Sequence, residues 1–344
     1  MQKLAFGAAA RWRRRSLILM LALAMLSTAA AQGSHKHHKT EKNKNKDVPI
    51  LWMDPGNIAA RDLYYGPGGK EHEPQGPMKF LKEDMAGSNP KFDLEDGKGE
   101  KWKAKLGVEA QPETAAVRLL WAVGYFADED YFVPRLQVDQ MPELRRGGKA
   151  AGPDGLVHNV RLKYRPEKKE GNWRWDDNPF VDTRELNGLR VMMALLNNWD
   201  LKTENNAIYR DKNTGRETYL VTDVGASFGT TGYHYYGGWS KNDLEAYTES
   251  RFISHAGTDY VDFATPSHPP FLYFIGVPRF VRYFHQRGIT RHIPRKDAKW
   301  IGGLLAQLTE TQIRDAFRAA GYTPAQIDIL AGVVRDRIAL LKGL

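Results

Sequence analysis

Hydrophobic and polar positions alternate with a period of two over three short stretches early in the chain. Met78-Lys79-Phe80-Leu81 reads as a strand, and residues 86–90 (AGSNP) read as a turn. Lys91-Phe92-Asp93-Leu94 alternates again before Asp96-Gly97-Lys98-Gly99 turns the chain a second time. In the third stretch, residues 101–106, Trp102, Ala104 and Leu106 share one face and Lys101, Lys103 and Lys105 share the other. A helix follows, with Pro112 in its first turn and Gly124 just past its end. Residues 131–138 read as a further strand and residues 145–154 as a Gly-rich loop. Thr183 caps a helix that carries Leu186, Leu189, Met193 and Leu196 at helical intervals. Residues 207–209 and 219–221 then form a hairpin about a turn at 212–215. From Asp243 onward helix signals dominate. Thr309-x-x-Gln312 and Thr323-Pro324-x-Gln326 are capping-box starts, and Ile327, Leu330, Val334, Ile338 and Leu341 make a core-facing stripe. The order predicts an α+β fold, a strand-rich part before a mainly helical one.

Composition narrows the class. The chain has 344 residues, 42% of them hydrophobic and 26% charged, enough to bury a sizeable core. It contains no cysteine, which excludes a disulfide framework, thiolate metal sites, a cysteine nucleophile and a cysteine-linked lipid anchor. A net charge of +9 invites a nucleic-acid reading until its location is considered. Five of those charges (Lys3, Arg11, Arg13, Arg14 and Arg15) lie in residues 1–31, and a surplus of four lies in residues 32–46. The remainder is neutral, so no nucleic-acid partner is expected.

The basic cluster precedes an apolar run at residues 17–26 and a small-residue Ala-x-Ala site at 29–31. Residues 1–31 therefore read as a secretory signal peptide cleaved after Ala31, with an uncleaved membrane anchor as the alternative. The apolar run is short for a bilayer core of about 30 Å, so no stable membrane span is expected after cleavage. The mature protein is expected to be exported, to a periplasm or the extracellular space. Residues 32–47 are polar and Lys/His-rich and read as a disordered linker. His35, His37 and His38 lack the carboxylates and fixed geometry of a metal site. One domain is then expected over residues 48–344, its strand-rich part ending near 140.

The most informative stretch is Asn198-Trp199-Asp200-Leu201-Lys202-Thr203-Glu204-Asn205, between a helix and the hairpin, with Asp223-Val224-Gly225 after that hairpin. Magnesium-dependent phosphoryl transfer needs a carboxylate for the hydroxyl proton, a lysine at the moving phosphate, and an amide with a second carboxylate for the metal. Asp200, Lys202, Asn205 and Asp223 supply those groups in that order. Taken alone, the same residues also fit a solvated polar loop.

This stretch resembles the protein-kinase catalytic loop H-R-D-x-K-x-x-N, with Asn198-Trp199 at the His-Arg positions and Val224 at the Phe of D-F-G. Upstream, residues 85–92 (MAGSNPKF), a strand lysine, and Glu113 eleven residues before Gly124 resemble the HipA-like serine/threonine kinases. The resemblance runs in scattered motifs over residues 80–228. It implies a two-lobed protein-kinase-like fold, a small antiparallel-sheet lobe and a mainly helical one, with ATP and Mg²⁺ bound between them. It also assigns roles. Lys105 pairs with the nucleotide's α/β-phosphates and with Glu113, and Gly87 and Lys91 lie over the phosphates. Asp200 is the base, Lys202 the phosphate contact, and Asn205 with Asp223 the metal ligands. Lys103 points the same way as Lys105, and only the resemblance chooses between them. The loop has one glycine where three are usual.

The expected activity is phosphate transfer to a hydroxyl acceptor, first of all protein Ser/Thr. The alternatives are a non-catalytic kinase-fold module of the envelope and a small-molecule or lipid kinase. Residues 225–239 (GASFGTTGYHYYGGW) lie where a kinase activation segment would, and read either as a substrate loop or as aromatic packing. Trp173, Trp175, Asp176 and Asp177 read either as lining a substrate entrance or, preferred, as a structural cap on the lobe junction. His255, His268, His285 and His292 have no metal-site spacing, and residues 271–284 read as core.

Overall fold

The computed structural model describes residues 48–87, 89–146, 152, 154–164, 169–229, 241–264 and 288–344. The expected signal peptide and linker, Ser88, most of the loop at 145–154, residues 230–239 of the aromatic stretch, His268, His285 and residues 271–284 lie outside the described residues.

The alternating stretches become β1 (Met78–Asp84), β2 (Lys91–Glu95) and β3 (Lys101–Lys105), joined by β4 (Asp130–Asp139) and β5 (Leu156–Tyr164). They form a closed barrel in the order β1-β2-β3-β5-β4. Phe92 faces Ala104 and Leu94 faces Trp102 across β2 and β3, so alternate residues of neighbouring strands meet inside. Phe92, Leu94, Ala104, Val160 and Leu162 are fully buried there.

Two expectations change here. The sheet is not a simple antiparallel one, because β1 and β4 close the barrel by a parallel pairing of Met78 with Val138 and Lys79 with Asp139. The strand-rich part does not end near 140, since β5 continues it to Tyr164. On the outer face of β3, Lys101 is exposed whereas Lys105 is buried.

The helix that follows β3, α1 (Ala110–Ala122), starts two residues before Pro112 and has ten of its other residues buried with it. It ends where Gly124 turns with φ +96°, and a side chain at 124 would collide with the Met53 carbonyl oxygen. Its apolar residues, among them Ala115, Val117 and Leu120, belong to a second and larger core. That core also holds α2 (Arg184–Leu195), the hairpin β6 (Asn206–Arg210) and β7 (Glu217–Val221), and α3 (Leu244–Glu249). Thr183 caps α2 as expected, its side chain accepting from the Leu186 N–H at 3.2 Å. Trp173 and Trp175 are buried in this core with ring centroids 4.9 Å apart, a structural use.

The part expected to be mainly helical also contains a small sheet. β8 (Ile253–Ala256), β9 (Tyr260–Phe263) and β10 (Ile293–Pro294) pair in the order β10-β9-β8. α4 (Arg295–Leu305), α5 (Glu310–Ala319) and α6 (Pro324–Lys342) close the fold. Both expected capping boxes are present, at Thr309/Gln312 and Thr323/Gln326. The α6 stripe Ile327, Leu330, Val334, Ile338 and Leu341 is buried throughout.

The segment before the barrel belongs to this larger core, through Leu51, Ile58 and Leu63. Ile50 bridges Thr218 of β7 in parallel, and Gln312 of α5 donates to the carbonyls of Ile58 (2.7 Å) and Arg61 (2.9 Å). No described helix is long and apolar enough to cross a membrane.

Candidate functional site

The site begins with a row of like charges. On the outer barrel face, register places Lys91 of β2 opposite Lys105 of β3, and Lys105 opposite Arg161 of β5. Like charges directly opposite each other repel, so the row needs acids. The face of α1 packed against it supplies Glu113, which is 1% exposed and divides its carboxylate between two cations. Oε2 accepts from Lys105 Nζ at 2.8 Å and Oε1 from Arg161 Nη2 at 3.1 Å. Lys103 pairs instead with Asp84 and, at 2.9 Å, with Asp93. Of the two lysines, it is Lys105 that meets Glu113.

Two more carboxylates reach the same ammonium. Asp223 Oδ1 lies 2.7 Å from Lys105 Nζ although 118 residues separate them, and Glu109 Oε2 also lies 2.7 Å away. Glu109 was not singled out from the sequence. It sits one turn before Glu113, accepts 2.6 Å from Asn89 Nδ2 in the β1–β2 loop, and its Oε1 pairs with Lys241. Gly225 packs against it, and a Cβ at 225 would come within 2.7 Å of Glu109 Cβ. Arg161 and Lys241 were missed as well. For Glu109 the available signal was its helical offset of four from Glu113.

Among the described residues, one group of three acids has the spacing to hold a cation: Glu109, Glu113 and Asp223, with ligand atoms within 4.8 Å of one another. The Lys105 ammonium is the cation they hold. Burial alone would lower its pKa, but Glu113 and Asp223 outweigh that and keep it protonated far above the usual lysine range. Burial works in the opposite sense on Glu113 and pushes its carboxyl up to about 7, against Arg161 and Lys105. Burial also acts to raise Asp223, which is more open, yet Lys105 and Arg161 hold it down to about 2.

The loop after α2 supplies Asp200 and Lys202. Asn198 Oδ1 accepts from the Asp200 N–H at 3.0 Å, and Lys202 Nζ pairs with Asp200 Oδ2 at 2.7 Å. Asn205 Nδ2 donates to the Asp200 carbonyl at 2.7 Å, which turns its amide oxygen the other way. The Asn205 carbonyl accepts from the Thr222 N–H at 2.8 Å, joining this loop to the residue before Asp223. The open end of the β6–β7 hairpin thus brings Asp200, Asn205 and Asp223 to one edge.

Gly87 and Lys91 form the other wall. Gly87 has φ +72°, and a Cβ there would lie 3.2 Å from Lys91 Nζ. Burial lowers the Lys91 pKa, and Asp84, Lys105 and Asp223 all act on it. The expected residues therefore assemble as Lys105, Glu113 and Asp223 in direct contact, Asp200, Lys202 and Asn205 on the adjoining loop, and Gly87 over Lys91. His255 and His292 lie apart from them, on either side of Tyr260.

The donor set suits a nucleotide and a hard divalent cation. Asp223 offers carboxylate oxygens and Asn205 an amide oxygen, as magnesium prefers, and Lys91 with Lys105 offers charge for phosphates.

No protein-family model matches this sequence, and no curated protein sequence matches it either. Among solved structures it is similar to a Helicobacter pylori proinflammatory kinase, CtkA, at TM-score 0.39 and 9% identity, covering 74% of this chain and 93% of that one.

Proposed function

We propose that this chain is a kinase-like phosphotransferase of the HipA-like type, which binds ATP with Mg²⁺ and phosphorylates a hydroxyl acceptor outside the cytoplasm. One observation carries the reading: a barrel lysine, a helix glutamate and the aspartate of Asp-x-Gly, distant in sequence, meet within hydrogen-bonding distance at Lys105 Nζ. The two-lobed arrangement is part of the proposal. It is supported by separate barrel and helix-rich cores with these residues where the two meet.

In this reading Lys105 anchors the α/β-phosphates and Glu113 keeps the ammonium in place. Gly87 and Lys91 lie over the phosphates. Asn205 and Asp223 would hold Mg²⁺, which when bound neutralises phosphate charge. Lys202 occupies Oδ2 of Asp200, leaving Oδ1 to accept the proton of the acceptor hydroxyl. The acceptor oxygen bonds to the γ-phosphorus as the bond to the ADP oxygen breaks, and Asp200 takes the proton.

A second reading, a binding module without catalysis, is favoured by the three carboxylates that already fill the Lys105 ammonium. Calorimetric titration of the full chain with ATP and Mg²⁺, followed by transfer from labelled ATP, tests both. Binding together with transfer that Asp200→Asn abolishes is the expected result. Binding with no transfer to protein or small-molecule hydroxyls selects the module, and no binding overturns the nucleotide reading.

A further inference from the structure

The loop between β1 and β2 carries one glycine, where kinase phosphate loops usually rely on several to expose backbone amides. A different device stands in their place. Arg146, in the loop after β4, reaches back across the barrel rim, where Nη1 donates to the carbonyls of Met85 (2.8 Å) and Ala86 (3.4 Å) and Nη2 to that of Gly87. The grip is reciprocal. Glu83, at the end of β1, accepts from the backbone N–H groups of Arg145 (3.1 Å) and Arg146 (2.9 Å). On the far side Asp84 Oδ1 accepts from the Ala86 N–H at 2.9 Å.

In a trans peptide the C=O and N–H of one unit point in opposite directions. A guanidinium holding the Ala86 carbonyl therefore turns the Gly87 N–H to the opposite side of the loop. Among the described residues that N–H has no hydrogen-bond partner. Lys91 Nζ packs against Gly87, so close that a Cβ there would meet it at 3.2 Å. Lys91 is the one member of the Lys91–Lys105–Arg161 row without an ion-paired carboxylate among the described residues. One side of the loop is thus tied by its carbonyls, and the other offers an amide and an ammonium to an anion.

We infer that Arg146, held by Glu83, is a positioning residue that presets this loop for the phosphates of a nucleotide. The inference rests on the nucleotide reading above. It separates phosphate recognition from recognition of the base and sugar, because Arg146 acts only through the loop.

The test compares ATP, ADP and adenosine binding to the full chain by calorimetry or competition. Arg146→Ala is expected to weaken ATP and ADP about tenfold, the loss of charge-assisted contacts that preorganise the loop, and to leave adenosine within about twofold. Arg146→Lys, able to hold fewer carbonyls, should fall between, and Glu83→Ala should reproduce the alanine pattern. Equal losses for ATP and adenosine, or no loss for either, overturn the inference while leaving the nucleotide reading intact. No ATP binding by the wild-type chain overturns both.

Discussion

An ammonium has three N–H donors, and in Lys105 the carboxylates of Glu109, Glu113 and Asp223 take all three. A phosphate can reach Lys105 only when one of them leaves. Glu109 and Glu113 have side chains 9% and 2% exposed, whereas that of Asp223 is 42% exposed, so Asp223 is the one free to turn away. Asp223→Asn should accordingly bind ATP about tenfold more tightly than wild type in EDTA and lose most of its response to Mg²⁺, as read by calorimetry. Asp223 also sets an acid limit. Its folded pKa, about 2, lies below the unfolded value, so its contribution to stability is present above about pH 4 and lost as pH falls toward 2. Acid unfolding of wild type and Asp223→Asn should converge across that window. Glu113 has the opposite sign: its folded pKa, about 7, lies above the unfolded value, so in chemical denaturation wild type should lose stability relative to Glu113→Gln as pH rises from about 4.5 through 7.

At the scale of elements, local chemistry decided what the sequence could reveal. The capping boxes were legible because both partners lie within one turn, and Thr323→Ala should cost about 1 kcal/mol, visible as a lower Tm. β5 was missed because Asn159 adopts φ 52° between Val157 and Val160, opposite the proline of β4, and breaks the alternation. β8, β9 and β10 have four, four and two residues, too few for a period to register. Lys105, Glu113, Asp200, Asn205 and Asp223 were singled out through the resemblance of scattered motifs, and the fold brings Lys105, Glu113 and Asp223 into contact. Glu109 was hidden because its partners Asn89 and Lys241 lie 20 and 132 positions away. Arg161 was hidden with the strand that carries it.

For the whole molecule, the division expected near 140 gave way to an interleaved one, in which residues ahead of the barrel pack in the larger core and β5 returns to the barrel. Gln312, 7% exposed, is the side chain that fastens that leading segment to α5. Gln312→Ala leaves the Ile58 and Arg61 carbonyls short of a donor. It should cost about 1–3 kcal/mol and speed hydrogen exchange over residues 48–66, with the barrel unchanged. The entry of that segment has a mechanical consequence. The Ile50 N–H donates to the Glu217 carbonyl and the Tyr219 N–H to the Ile50 carbonyl, each within 2.9 Å. Tension on the chain ahead of Val48 is therefore carried first by β7, whose last residue, Val221, lies two positions before Asp223. A pull on the chain ahead of Val48 thus loads the strand that leads into Asp223.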